Sequence, residues 1–226
     1  MNAVCLNQEE SSALALRPIG CHWGIELDIQ RAQIMRDIDI RRALLAEIED
    51  RHRGEPDTVI RQELGLCQGF ARVDLAVVNG SVHGYEIKSE HDTLARLAGQ
   101  AEIYNRTLDF VTIVTAATHA TKINNTVPSW WGILNAVQDG DEVRLDISRE
   151  ASQNPGIDPY ALAQLLWRDE ALQALLDRRL ATGMRSKPRE ELWRRLASEL
   201  TLEELGHIVR DRLKHRADWR SPSLPA

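Results

Sequence analysis

Residues 70–88 read FARVDLAVVNGSVHGYEIK, and they decide the fold. Two alternating runs rich in β-branched residues are joined by Asn79-Gly80, the commonest signal for a short hairpin turn. Strand side chains alternate between the two faces of a sheet, so Glu86 and Lys88 share one face of the second run. The stretch therefore predicts a β-hairpin that carries a carboxylate and an amine side by side.

The hairpin loop decides where a second carboxylate, that of Asp74, lies. A strict two-residue turn would set Asp74 opposite Tyr85 and on the face away from Glu86. A three-residue loop, or a β-bulge near residues 78–82, would place Asp74 on the face of Glu86. That register also gathers apolar side chains on the other face: Val73, Leu75, Val77, Tyr85 and Ile87. The sequence therefore predicts an odd loop or a bulge.

Periodicity along the rest of the chain predicts an α/β fold with a mixed β-sheet flanked by helices. Apolar spacing and breakers predict helices over residues 34–51 and 57–64, strands over 70–78 and 81–88, a helix capped by Asp92, strands over 110–118, 130–137 and 142–148, and then three or four short helices. These elements divide into an N-terminal arm (1–30), a core (31–153) and a small all-helical C-terminal module (157–226).

Composition favours a cytoplasmic protein. Of 226 residues, 43% are hydrophobic and 27% charged, which is typical of globular proteins. No apolar run approaches the roughly 20 residues of a membrane helix, and the first residues lack a basic start followed by an apolar run, so we expect neither a membrane span nor a secretory signal. Three widely spaced cysteines, Cys5, Cys21 and Cys67, argue against a disulfide framework and a structural zinc site.

The net charge of −6 weakens the case for strong nucleic-acid binding through Lys and Arg alone. Residues 158–226 are slightly basic, with 13 Lys/Arg against 11 Asp/Glu. The basic stretch 183–196 is compatible both with a DNA-gripping helix and with a solvated helix face. An acidic chain can still meet phosphate through bound metal ions.

Two carboxylates and a lysine on neighbouring strands suit metal-assisted phosphodiester hydrolysis. Asp74 and Glu86 would hold Mg²⁺ or Mn²⁺, and the compact amine of Lys88 would orient water or offset charge. Lysine is rare here, since the chain has only four. An acid two residues before a lysine is nevertheless expected about 0.6 times by chance, so a surface ion pair stays an alternative.

The segment QAEIY, residues 100–104, strengthens the metal-site interpretation. Gln100 and Tyr104 lie one turn apart on the helix that follows the hairpin. A Gln and a Tyr at this spacing are expected only about 0.13 times by chance in this composition. Core packing of Tyr104 with Gln100 on the surface is the alternative.

The chain resembles the PD-(D/E)xK nuclease superfamily, which has a restriction-endonuclease-like fold, and in particular its RecB-like QxxxY branch. The residues that carry this resemblance are, in order, Asp74, Glu86-Ile87-Lys88 and Gln100-x-x-x-Tyr104. The stretches ELGL, RVDLAVV and GYEIKSEHDTLARL are similar to an uncharacterised group of bacterial nuclease-like proteins. One departure is Val73, which stands where the superfamily name has proline.

The resemblance implies a role for each matching residue. Asp74, Glu86 and Lys88 would be catalytic, and the metal would be held by Asp74, Glu86 and the Ile87 main-chain carbonyl. The resemblance also implies further contributions: Glu63 as an added helical acid, and Gln100 and Tyr104 as site-shaping or DNA-contacting residues. Arg72 and Arg96 flank the motif and suit phosphate contacts, although each also fits an ordinary surface arginine.

These observations predict a Mg²⁺-dependent or Mn²⁺-dependent nuclease that acts on DNA in repair or defence. The alternative is a non-catalytic nucleic-acid-binding or protein-interaction domain on the same fold. RNA as the substrate, single-stranded or double-stranded preference, endonucleolytic or exonucleolytic cutting, and a homodimer or partner protein stay open. The pair Trp130-Trp131 suits base stacking but is better explained by core packing before a strand.

Overall fold

A computed structural model describes residues 35–216 of the chain. In that range a mixed six-stranded sheet is flanked by seven helices, which confirms the predicted α/β class. The arm predicted over residues 1–30 lies outside the described part. In chain order the elements are α1 (Asp37–Arg51), β1 (Val59–Leu66), β2 (Ala71–Val78), β3 (Val82–Lys88), α2 (Leu97–Thr107), β4 (Phe110–Ala116), α3 (Ala120–Thr126), β5 (Gly132–Asp139), β6 (Glu142–Arg149), α4 (Pro159–Ala163), α5 (Arg168–Asp177), α6 (Arg189–Glu199) and α7 (Leu202–His215).

The strands lie side by side in chain order, from β1 at one edge to β6 at the other. The first three strands are antiparallel, β3, β4 and β5 are parallel, and β6 is antiparallel to β5. Parallel neighbours need a crossover connection, and α2 and α3 supply the two that this sheet requires.

The β2–β3 hairpin has the predicted odd loop. Val78 pairs with Val82, and Leu75 pairs with Tyr85. Three residues, 79–81, therefore form the loop, and its turn is fixed by the Asn79 side chain, which accepts a hydrogen bond from the Ser81 amide at 3.1 Å. This register confirms that Asp74 does not face Tyr85.

Apolar side chains cover both faces of the sheet in two clusters. On one face, Leu75, Val77, Tyr85 and Ile87 pack with α1, as the hairpin register predicts. The prediction that Val73 joins them is wrong, because Val73 packs on the opposite face with α2 and the C-terminal helices. Regular alternation in β2 breaks between Val73 and Leu75, at Asp74.

The helix predicted over residues 57–64 is also wrong, since Val59–Leu66 form the edge strand β1. Ile60 packs on the α1 face and Leu64 on the opposite face, although both positions are even. The change of face occurs at Glu63, whose φ of 55° is left-handed. Glu63 is therefore a strand residue and not the helical acid that the resemblance implied.

Four helices follow the sheet in the part of the chain up to residue 216, within the predicted three or four. Their apolar side chains, including Leu162, Leu175, Trp193 and Leu213, join the same cluster that covers the α2 face of the sheet. The cap predicted at Asp92 is wrong. Helix α2 begins at Leu97, and the Asp92 carboxylate instead accepts hydrogen bonds from the Ser89 amide and hydroxyl.

Four further predictions concern Trp131, the cysteines, membrane helices and the domain boundary. Trp131 is fully buried, as core packing predicts. Cys67 is a buried free thiol, whereas Cys5 and Cys21 lie outside the described residues. Within residues 35–216, no helix is long and apolar enough to cross a membrane. The boundary between core and C-terminal module stays a prediction.

Candidate active site

The carboxylates of Asp74 in β2 and Glu86 in β3 line one cleft of about 790 Å³. Pairing of β2 with β3 ends at Leu75 and Tyr85, one residue before Asp74 and Glu86 would face each other. Beyond that point the Asp74 Oδ2 atom accepts a hydrogen bond from the Ile87 amide at 2.7 Å. The Asp74 side chain thus links the strands where the backbone ladder stops, and it lies in the cleft that Glu86 also lines.

Glu86 is buried and accepts hydrogen bonds from three other residues of the motif, Lys88, Gln100 and Tyr104. Its Oε1 atom lies 2.6 Å from Lys88 Nζ and 2.7 Å from Gln100 Nε2, and its Oε2 atom lies 2.6 Å from the Tyr104 hydroxyl. The sequence motif is therefore one hydrogen-bonded group. The alternative of a surface ion pair does not describe it, because Glu86 and Lys88 are only 2% and 6% exposed. Tyr104 is packed in the core, as the other alternative has it, but Gln100 donates to Glu86 instead of facing the surface.

Burial and the negative charge of Asp74 raise the pKa of the Glu86 carboxyl, while Lys88 and Tyr104 oppose that shift. Burial and the charge of Glu86 also raise the pKa of the Tyr104 phenol, so Tyr104 acts as a neutral hydrogen-bond donor. Its single hydroxyl hydrogen has two acceptors within reach, Glu86 Oε2 and the Arg72 carbonyl at 2.7 Å. Tyr104 therefore fixes Glu86 against the backbone of β2.

Gln100 keeps one polar atom without a partner in the described part of the chain. Its amide nitrogen faces Glu86, which leaves the Oε1 atom buried and without a hydrogen-bond donor. An orphaned buried acceptor in a native structure calls for an explanation such as a ligand, ion or water. Here it lies beside the cleft that holds both carboxylates.

These oxygen atoms could contribute to a magnesium site of the kind that is completed by substrate. Within residues 35–216, no three His, Cys, Asp or Glu side chains group closely enough to hold a metal by themselves. Mg²⁺, however, is usually held by one or two carboxylates together with waters and substrate phosphates. Asp74, Glu86 and the unpaired Gln100 oxygen supply oxygen donors of that type.

Arg41 is a member of the site that the motif does not contain. From α1 its guanidinium lies 2.7 Å from Asp74 Oδ1 and 3.2 Å from Glu63 Oε1. The Arg41 side chain is only 12% exposed. Although burial lowers its pKa, the charges of Asp74, Asp37 and Glu63 outweigh that effect and raise it. Arg41 thus neutralises part of the acidic cluster and orients Asp74.

Arg72 and Arg96 both line the cleft. Arg72 is exposed, and its guanidinium lies 3.3 Å from Glu63 Oε2. The cleft has more acids than bases, since its lining includes three basic residues, Arg72, Lys88 and Arg96, and five acidic ones, Asp37, Glu63, Asp74, Glu86 and Asp92. A polyanion would meet net repulsion there unless cations were bound.

Two basic residues of the stretch 183–196 pair with acids four residues further along the chain. Lys187 pairs with Glu191 at 3.0 Å, and Arg195 pairs with Glu199 at 2.9 Å. Exposed pairs of this type contribute little stability, but they reduce the positive charge that is available to phosphate. The pairing favours a solvated helix face over a DNA-gripping one.

Comparison with known proteins gives a family. A family model described as Bacteriophage P4 protein cII matches residues 30–224. The chain belongs to this cII family. Protein cII of Enterobacteria phage P4 is 28% identical over 185 residues, which cover 82% of this chain and 69% of the phage protein. A solved structure, the SPO1766 protein of unknown function from Silicibacter pomeroyi, covers 67% of this chain and 94% of its own at 18% identity and a TM-score of 0.40.

The match to the cII family spans the cleft and the four C-terminal helices. Two residues at the cleft of this chain, Arg41 and Phe70, could not be identified from the sequence motif. Arg41 occupies an apolar position in the periodic pattern of α1, and an arginine at such a position is the signal that would have identified it. Phe70 also lines the cleft and is 84% exposed. In the sequence, Phe70 begins a predicted strand, where an aromatic side chain is ordinary.

Proposed function

We propose that this chain is a cytoplasmic, Mg²⁺-dependent or Mn²⁺-dependent nuclease that hydrolyses phosphodiester bonds of DNA in repair or defence. The observation that carries the proposal is the buried Glu86, bound by Lys88, Gln100 and Tyr104 at the wall of a cleft shared with Asp74. A buried ion pair is weak as a stabilising device, because apolar side chains of similar volume often stabilise a protein as well or better. Its position in a cleft therefore favours a chemical role.

Each residue of the group has a role in the proposed reaction. Asp74 and Glu86, with the Ile87 carbonyl, would hold the ion, which supplies charge neutralisation and a lowered pKa of bound water when present. Lys88 would orient the attacking water or offset negative charge at the phosphate. Tyr104 holds Glu86 in place, and Arg41 holds Asp74. Arg72 and Arg96 would meet the flanking phosphates.

The decisive experiment is cleavage of labelled single-stranded DNA, double-stranded DNA and RNA with Mg²⁺, Mn²⁺ or EDTA. We expect metal-dependent cutting that Asp74→Asn reduces at least about a hundredfold. This variant keeps an oxygen to accept from the Ile87 amide. A matched control is Asp146→Asn, because Asp146 pairs with Arg144 on the exposed β6 strand.

Lys88 calls for a charge-preserving change. Lys88→Ala would leave the buried Glu86 carboxylate without its cation, so loss of cutting could reflect unfolding. Lys88→Arg retains the charge but replaces the compact amine, and Lys122→Arg on the exposed surface of α3 is its control. Cutting that survives Asp74→Asn and Lys88→Arg in folded protein would refute this assignment of the site.

The second candidate is a non-catalytic nucleic-acid-binding or protein-interaction domain. It is favoured by Arg41, because an internal guanidinium already occupies Asp74 and Glu63. Wild-type protein that binds DNA but cuts none of the three polymers with any divalent metal would establish this alternative.

A further inference from the structure

The loop between β1 and β2 has an unusual backbone. Cys67, Gln68 and Gly69 have φ values of 46°, 63° and 89°. Together with Glu63, the loop region holds three of the four non-glycine residues with left-handed φ in residues 35–216. Residues other than glycine rarely adopt this left-handed backbone conformation, and those that do cluster at ligand-binding and catalytic sites. The strained segment directly precedes Phe70.

The strained loop displays an aromatic ring. Phe70, one of two phenylalanines in the chain, is 84% exposed. Large apolar side chains are usually buried, so this exposure is unusual for a residue held in a defined loop. Phe70 lines the same cleft as Asp74, Glu86 and Lys88.

The C-terminal helices brace this loop. The Gln68 side-chain oxygen accepts a hydrogen bond from Arg189 Nη2 at 2.6 Å, and its side-chain nitrogen lies 3.4 Å from Gln164 Oε1. Arg189 begins α6, and Gln164 directly follows α4. Contacts from the start of α6 and the residue after α4 hold Gln68, and the loop carries Phe70 at the cleft two residues later.

The chemistry of the ring selects its partner. Phenylalanine has no hydrogen-bond donor or acceptor, so it cannot read base edges or bind phosphate. It offers a flat apolar face, which stacks on a nucleobase only where the base is not already covered by its neighbours in a duplex. Arg72 and Arg96 line the same cleft and offer cations for the backbone of such a strand.

We propose that Phe70 stacks on a base of single-stranded DNA and so directs single-stranded substrate, or a frayed end, into the cleft. This proposal rests on the proposed function for its polymer. It makes Phe70 a specificity-determining residue and gives α4 and α6 a role in substrate binding through Gln68.

Binding and cutting are measured separately. Fluorescence anisotropy with labelled oligothymidine and with a mixed-sequence duplex is recorded in Ca²⁺, and gels confirm intact probes. We expect Phe70→Ala to weaken oligothymidine binding roughly tenfold and to change duplex binding less than about twofold, while Phe70→Trp preserves both. Ile147→Ala is the matched control, because Ile147 is 54% exposed on the opposite edge strand.

The outcomes separate the two proposals. Unchanged oligothymidine binding by Phe70→Ala, an equal loss on both probes, or no binding of oligothymidine by wild type would overturn the role of Phe70. Cutting by wild type alongside any of these results would leave the nuclease proposal standing. Selective loss with Phe70→Ala in a protein that never cuts would refute hydrolysis and retain the stacking site.

Discussion

The two faces of β3 differ in whether their buried ionisable side chains are charged or neutral. Toward α2, Glu86 and Lys88 lie together and are matched by Gln100 and Tyr104. Toward α1, burial lowers the pKa of His83 to about 4, and burial raises the pKa of Tyr85 to about 12. At neutral pH the α1 face of this strand therefore carries no charge on either side chain.

This difference shows what an ordinary buried polar cluster looks like in this protein. The His83 ring stacks on Tyr85 with 4.3 Å between centroids, and its Nε2 atom lies 2.8 Å from the Thr112 hydroxyl. Neutral partners satisfy that face without charge, which is the less costly solution. A carboxylate and an ammonium on the other face of the same strand are thus not required by the fold, and they mark the face proposed for chemistry.

The largest expected effect comes from removing one member of the charged pair. We expect Lys88→Met to lower the free energy of unfolding by about 3–5 kcal/mol, because Glu86 would be left as an uncompensated buried charge. Glu86→Leu combined with Lys88→Met should recover most of that loss while eliminating activity. Urea denaturation of wild type and both variants measures the effect. A single variant as stable as wild type would contradict the charge-pair description.

The neutral face predicts a dependence on pH. His83 has a pKa of about 4 when folded, against 6.5 for an ordinary histidine, so below pH 6.5 the unfolded state binds a proton that the folded state does not. Stability from His83 is therefore lost as the pH falls from 6.5 toward 4, by about 3 kcal/mol in total. The charges of Arg51 and His52, at and just after the end of α1, add to the lowering of the His83 pKa.

Urea denaturation of wild type and His83→Gln across that pH range tests this prediction. The stability difference between the two proteins should shrink toward acid pH, whereas His91→Gln, an exposed control, should follow wild type. Parallel pH profiles for wild type and His83→Gln would show that His83 is not held neutral.

The smallest expected effect on the free energy of unfolding comes from removing the hydroxyl of either buried tyrosine, Tyr104 or Tyr85. Tyr104→Phe removes the donor shared by Glu86 and the Arg72 carbonyl, so we expect a loss of about 1–3 kcal/mol. Tyr85→Phe removes a hydroxyl that lies 3.3 Å from His83 Nδ1, and we expect less than about 1 kcal/mol. Thermal or urea denaturation ranks the pair, and equal losses would remove the distinction between the faces.

Much of the site could be predicted because it depends on local rules. Strand alternation and the apolar grouping of Val73, Leu75, Val77, Tyr85 and Ile87 predicted an odd loop or a bulge near residues 78–82, and the loop is the three residues 79–81, although Val73 itself lies on the other face. Helical spacing likewise placed Gln100 and Tyr104 on one side of α2. These relations follow from backbone geometry, which the order of residues expresses directly.

The predictions that failed for β1, Val73 and Arg41 depend on backbone turns and on packing between elements, which residue spacing does not express. In β1, Ile60 and Leu64 are four apart, which is helical spacing, yet they cover opposite faces of a strand because Glu63 turns the chain over. The same change of face in β2 misplaced Val73. A left-handed glutamate has no sequence signature, and Arg41 acquires its partners only when α1 packs on the sheet.

The cluster that covers the α2 face of the sheet has a consequence for biosynthesis. It joins β-strand residues such as Val111 to side chains as late in the chain as Leu213. During translation the sheet would emerge from the ribosome with that face covered only in part, by α2, and the cover would be complete only when α7 follows. Exposed apolar surface on such an intermediate promotes aggregation, so a nascent chain of this protein depends on completion of α7, or on a chaperone until then.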